Sequence, residues 1–243
     1  MLKVVVFDSG WGGEMFADYL EEKVPVVEVT RVIDWRNAPY SEKGRTDICV
    51  MTDNALKPYI GEVDVIVLAS FAVTVAALPY LRWKYPNQHF VGFEMNLSDY
   101  VADRWNAGAV MTLATGVVAE SISYGRELKK MSELTIVTPN CSDWIRKVDD
   151  GEMTEMSLRK SLGIYARINV GTILLYSTGF ADLAPILKKI YGPNVAVVDD
   201  FARVMVRVCE ILGLRETKQR QGRITPEVRA RMVGLVEHAY QNF

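Results

Sequence analysis

Histidine is nearly absent from this chain. There are two in 243 residues, His89 and His238. Neither sits among clustered cysteines or paired histidines, so no metal site is expected, and both read as surface or packing residues. The three cysteines, Cys49, Cys141 and Cys209, are odd in number and lack CxxC spacing, which argues against a disulfide framework. No apolar run reaches about 18 residues, so no membrane span is expected. The opening stretch MLKVVVFDSG lacks the long apolar region of a signal peptide. Together these features lead to the expectation of a reducing cytoplasm. An excess of one charge is missing too: 28 basic and 30 acidic residues give a formal net charge of −2. Nothing in that balance calls for nucleic acid or an anionic membrane as partner.

What is present is an alternation of short apolar runs with longer amphipathic ones. Strands are expected at 2–7, 26–34, 64–69 and 89–94, with helices at 15–22, 43–60, 74–85 and 97–106. The second half repeats the plan: strands at 109–114, 133–139, 172–177 and 194–199, helices at 119–131, 154–168, 181–191 and 200–213. A last helix is expected at 225–243, with Thr225 as N-cap and Pro226 at the first helical position, after a polar connector at 219–223. Continuously apolar strands between helices predict parallel sheets covered on both faces, an α/β fold.

The two halves also match in spacing. Ser70 and Ser177, each at the carboxyl end of an apolar strand, are 107 residues apart, and Gly10 and Gly116 are 106 apart. AALPYL (76–81) mirrors DLAPIL (182–187). This predicts two copies of one α/β unit, facing each other about a pseudo-two-fold axis with a ligand crevice between them. The first lobe takes 1–93 and 200–243, the second 94–199. The chain crosses near 94–96 and 199–200, which are hinge candidates.

FDSGWGG (7–13) places Asp8 and Ser9 at a strand end before three glycines, which read as a tight βα turn. Gly10, Gly12 and Gly13 make GxGG, not the dinucleotide pattern GxGxxG, and no Walker pattern occurs. The loop suits backbone amides approaching a small anion such as a carboxylate. NAPYS (37–41) adds Pro39 and the hydroxyls of Tyr40 and Ser41.

In that order FDSGWGG, NAPYS, DVIVLAS (64–70), LATGVVAESISY (113–124) and ILLYSTGF (173–180) resemble the aspartate/glutamate racemase family, in its glutamate racemase-like branch, over nearly the whole chain. The resemblance implies a cofactor-independent isomerase that uses neither pyridoxal phosphate nor metal. It inverts an amino acid's α-carbon between two α/β lobes, with one cysteine on each side. Two groups are needed because a single base would return the proton to the face it left. By position those cysteines fall on Ser70 and Ser177, so the resemblance places serines at both stations. Asp8 would orient the first station or a substrate ammonium. The substrate would be held by Ser9, Pro39, Tyr40, Ser41, Phe71, Thr115 and Thr178. The implied partner is a small carboxylate or amino acid, and a homodimer is implied as well.

Four more positions depart from the family pattern. Phe71 and Ala72 stand where Asn and Thr follow the first cysteine, Val118 where a Thr is expected, and Gly179 where a His is usual. A less polar pocket follows. An aliphatic hydroxyl needs a neighbouring His or Lys to act as a base, and neither serine loop contains one, so racemisation should be impaired or lost. The alternative is a non-catalytic binding or regulatory protein for a small carboxylate. Serine hydrolysis is disfavoured by the missing GxSxG elbow. Structural roles remain open for several residues: packing for Tyr40 and Phe71, turn capping for Asp8, and core for Cys49 and Cys141.

Overall fold

The computed structural model describes residues 1–94, 96–105 and 107–214. The expected connector at 219–223, the helix at 225–243 and His238 lie outside them. Two four-stranded parallel sheets form the framework. The first contains β1 (Leu2–Asp8), β2 (Val27–Ile33), β3 (Val65–Leu68) and β4 (His89–Gly92) in the order β2-β1-β3-β4. The second contains β5 (Ala109–Ala114), β6 (Ile136–Val137), β7 (Val170–Tyr176) and β8 (Ala196–Val198) in the order β6-β5-β7-β8. Every strand pairing is parallel. The two orders are the same once four is subtracted from each number of the second, as a duplicated unit requires.

The central strands have no polar face. Val4 to Phe7 of β1 and all of β3 and β5 are buried, because helices cover both sides of each sheet. In the first half these are α1 (Trp11–Lys23), α2 (Arg45–Leu56) and α3 (Phe71–Lys84). The second half has α4 (Ser98–Arg104), α5 (Gly116–Ala119), α6 (Ile122–Lys130), α7 (Trp144–Asp149), α8 (Glu155–Leu162) and α9 (Ala184–Tyr191). The final described helix, α10 (Phe201–Ile211), follows the second sheet's last strand yet packs back on β3, β4 and α1. Its Phe201 meets Phe16 and Phe93 edge to face at 5.5 and 5.7 Å.

Pro79 lies inside α3 and has no N–H to offer the carbonyl four residues back. That carbonyl, Val75 O, instead accepts a 2.9 Å hydrogen bond from Arg45 of α2. The equivalent Pro185 lies near the start of α9 because a 3-10 turn, Thr178–Leu183, replaces the first part of that helix.

Several boundaries differ from expectation. The helix expected at 15–22 begins at Trp11, so Gly12 and Gly13 belong to its first turn and not to a loop. The strand expected over 133–139 pairs only at Ile136–Val137. The helix expected at 119–131 divides into α5 and α6, where Ser121 accepts a bond from the Tyr124 N–H and caps the second piece. The helix expected to 168 ends at Leu162, because Gly163 turns the chain at φ 56°. Helix α7 was not expected. Its Trp144 is buried against Phe180.

Candidate active site

The cavity of interest is built from segments that leave the carboxyl ends of strands in both sheets. From the first sheet come residues 8–12 after β1, 39–41 after β2 and 70–72 after β3. From the second come Thr115 and Val118 after β5, Ile145 and Asp149 after β6, and 176–179 at the end of β7. Ligand crevices in parallel α/β sheets form at such strand ends. Its volume is ≈ 40 Å³, so the two sides lie close together.

All ten residues singled out from sequence line this one cavity: Asp8, Ser9, Pro39, Tyr40, Ser41, Ser70, Phe71, Thr115, Ser177 and Thr178. Ser70 and Ser177 have nearly the same backbone geometry, φ −147°, ψ 130° and φ −150°, ψ 128°. Each occupies the residue before a helical turn, and neither side chain caps that turn. The hydroxyls are therefore not committed to the local backbone.

Asp8 is the buried acid at the junction. Its Oδ1 accepts the Ser9 N–H at 2.6 Å, and its Oδ2 accepts the Thr178 hydroxyl at 3.4 Å from the other side of the cleft. The Ser70 hydroxyl also bonds this carboxyl. Burial is the largest influence and pushes the carboxyl up to about 7, against these donors, which favour the ionised form. Ser9 turns its own hydroxyl to the Tyr40 N–H at 3.3 Å. The Tyr40 hydroxyl donates to Asp34 at 2.6 Å, and burial with that bond raises its pKa. Tyr40 is thus a packed, anchored wall residue. Phe71 is equally buried, with its ring edge-on to Tyr176 at 5.7 Å.

Trp11, Ile145, Asp149 and Tyr176 also face the cavity and were not foreseen. Ile145 and Asp149 are four residues apart on α7, one face of a helix. Asp149 is half-buried, and burial, with Asp150 beside it, pushes its carboxyl up to about 6. The departures Phe71, Ala72, Val118 and Gly179 all face the same space. Cys141 lies elsewhere, buried in the second lobe's core, with its thiol donating to Pro139 O at 3.3 Å and raised to about 12 by burial. Cys49 is half-buried on α2 and donates to Ala76 O.

No family model matches the chain. Among proteins of known activity it is similar to the glutamate racemase of Pseudomonas putida (strain W619). The two are 27% identical over 219 residues, which span 88% of this chain and 82% of that one. The glutamate racemase of Clostridium botulinum (strain Alaska E43) is 25% identical over 229 residues, 90% of this chain and 88% of its own. Among solved structures, Escherichia coli glutamate racemase in complex with L-glutamate and the activator UDP-MurNAc-ala superposes with a TM-score of 0.79. It covers 98% of this chain and 95% of its own at 19% identity. An aspartate racemase from Picrophilus torridus superposes with a TM-score of 0.61, at 17% identity over 95% of this chain and 98% of its own. The chain is thus similar in sequence, along most of its length, to glutamate racemases, and it shares the two-sheet fold of glutamate and aspartate racemases.

Proposed function

We propose that this chain carries the two-station cleft of a cofactor-independent amino-acid racemase, with Ser70 and Ser177 at the proton-transfer positions, and that these serines leave turnover impaired. One observation carries the reading. The two hydroxyls leave equivalent strands of duplicated sheets in matching backbone conformations and line the same narrow cavity. Inversion needs this arrangement: one group takes the α-proton, and another delivers a proton to the opposite face.

The impairment follows from acidity. A thiol ionises near 8.5, so forming a thiolate at pH 7 costs about 2 kcal/mol. An aliphatic hydroxyl is a far weaker acid, close to water, so ionising it at pH 7 costs several times as much. The base bonded to Ser70 is the Asp8 carboxyl, at about 7. It cannot bridge that gap. No His or Lys lines the cavity among the described residues.

In this reading the lobes are 1–93 with 200–243, and 94–199; residues 215–243 lie outside the described residues. The crossings near 94–96 and 199–200 are where the lobes part to admit a ligand. Asp8 receives the ammonium. The N–H groups at the start of α1 and α3, other than that of Gly13, which bonds Gly10 O, receive the carboxylate. The missing base also favours a second reading, a binding protein that retains the cleft without turnover.

The Ser70→Cys/Ser177→Cys variant, incubated with amino acids in deuterated water, separates the two readings. Deuterium at the α-carbon with loss of optical purity supports the racemase architecture. Saturable binding with no exchange by the double variant supports the binding protein.

A further inference from the structure

The walls of the cavity also decide which amino acid it would hold. Two of its lining groups are carboxyls, Asp8 from the first lobe and Asp149 from the second, and among the described lining residues no Lys, Arg or His offsets them. A ligand with one ammonium and one carboxylate can meet this site, with the ammonium toward an aspartate and the carboxylate on backbone amides and hydroxyls. The Ser41 hydroxyl is buried with no partner and is one such donor. A ligand with a second carboxylate brings a further negative charge into a buried space that already holds two acids and no cation. A buried charge without a partner is strongly disfavoured.

The rest of the wall is apolar. Phe71 and Ala72 open α3, Val118 comes from α5 and Ile145 from α7. The Phe71 ring is held by Phe93 and Tyr176, edge to face at 5.5 and 5.7 Å, so it presents a fixed hydrocarbon surface. Trp11, half-exposed where the cavity opens, is braced by Trp35 at 5.2 Å. None of Phe71, Ala72, Val118 and Ile145 supplies a donor for a side-chain carboxylate.

We propose that the cleft selects an α-amino acid with an uncharged, apolar side chain, seated against Phe71, Ala72 and Val118, and discriminates against acidic amino acids. This rests on the cleft being an amino-acid site, as proposed above.

The test is binding to the unmodified full chain, so it requires no turnover. Calorimetry with alanine, valine, leucine and phenylalanine is compared with glutamate and aspartate at pH 8, where both cavity carboxyls are largely ionised. At least one apolar amino acid is expected to bind tenfold or more tightly than either acidic one. In Asp149→Asn and in Val118→Thr the ratio should move toward glutamate, by about threefold or more in each. Glutamate or aspartate binding as tightly as every apolar amino acid, or more tightly, overturns the selectivity and leaves the amino-acid cleft standing. Absence of binding by all six, with the chain folded by circular dichroism, overturns the cleft reading as well.

Discussion

Gly12 of α1 lies against Thr178 of the opposite lobe so closely that a β-carbon at position 12 would come within 2.2 Å of the Thr178 hydroxyl oxygen and 2.8 Å of the Gly179 nitrogen. The two halves of the cleft therefore meet with the Gly12 backbone directly against the Thr178 side chain and the Gly179 nitrogen. A second close approach brings Gly116, at φ 42°, against the Ser41 carbonyl, where a β-carbon would come within 1.7 Å.

Gly12→Ala should accordingly push the lobes apart. Overpacking of a rigid contact costs about 1–3 kcal/mol. A lower melting temperature and a larger radius of gyration by solution scattering are expected. An unchanged radius and melting temperature would show that the lobes do not touch there in solution.

Asp8 makes stability depend on pH. Its carboxyl ionises near 3.8 when unconstrained and near 7 in the folded chain. Between those values the folded chain holds a proton that the unfolded chain has released. This contribution is complete at the acid end and is lost as pH rises through about 7. The shift of about three units corresponds to something on the order of 4 kcal/mol. Asp8→Asn should therefore gain stability over the parent as pH increases from 4 to 8, measured by urea denaturation. A difference that stays flat across that range would refute the buried acid.

Arg146 of α7 forks onto Glu42, Nε to Oε1 at 2.7 Å and a terminal nitrogen to Oε2 at 2.5 Å. It joins the helix carrying Ile145 and Asp149 to the turn carrying Tyr40 and Ser41. Both partners are accessible to solvent, so little global stability is expected from the pair. Its effect should be local. In Arg146→Met, amide hydrogen exchange at 40–42 and 144–149 should quicken by about threefold or more, while the melting temperature holds. Unchanged exchange would remove the fork as a constraint on opening.

A single thiol distinguishes the two stations. Ser70→Cys alone should exchange an amino acid's α-proton for deuterium with the configuration retained, because the opposite hydroxyl cannot deliver efficiently. Ser177→Cys alone should do the same to the opposite enantiomer. Full racemisation by either single variant would mean that another group, such as Asp149, supplies the second proton.

The strand-and-helix plan was legible because buried parallel strands are continuous apolar runs, and Val4–Phe7, Val65–Leu68 and Ala109–Ala114 are such runs. The equivalence of residues 70 and 177 was legible because a duplicated unit preserves spacing. Helix α7 was not legible: it is one and a half turns long and starts after Asp143 without a side-chain cap bond. With it went Ile145 and Asp149. The glycines after β1 read as a turn, since nothing local reveals that Thr178 and Asp8 exclude a β-carbon from helical positions 12 and 13.

By itself the sequence determined the fold class and the duplication, because hydrophobic period and chain spacing are local properties, while the ten candidate site residues came from the order of motifs that resembles the racemase family. Only the tertiary structure decided that those strand ends face one another, that Asp8 of one lobe is bonded by Thr178 of the other, and that a second acid arrives on α7. Burial and charge environment depend on residues up to 170 positions away along the chain, and no local pattern encodes them.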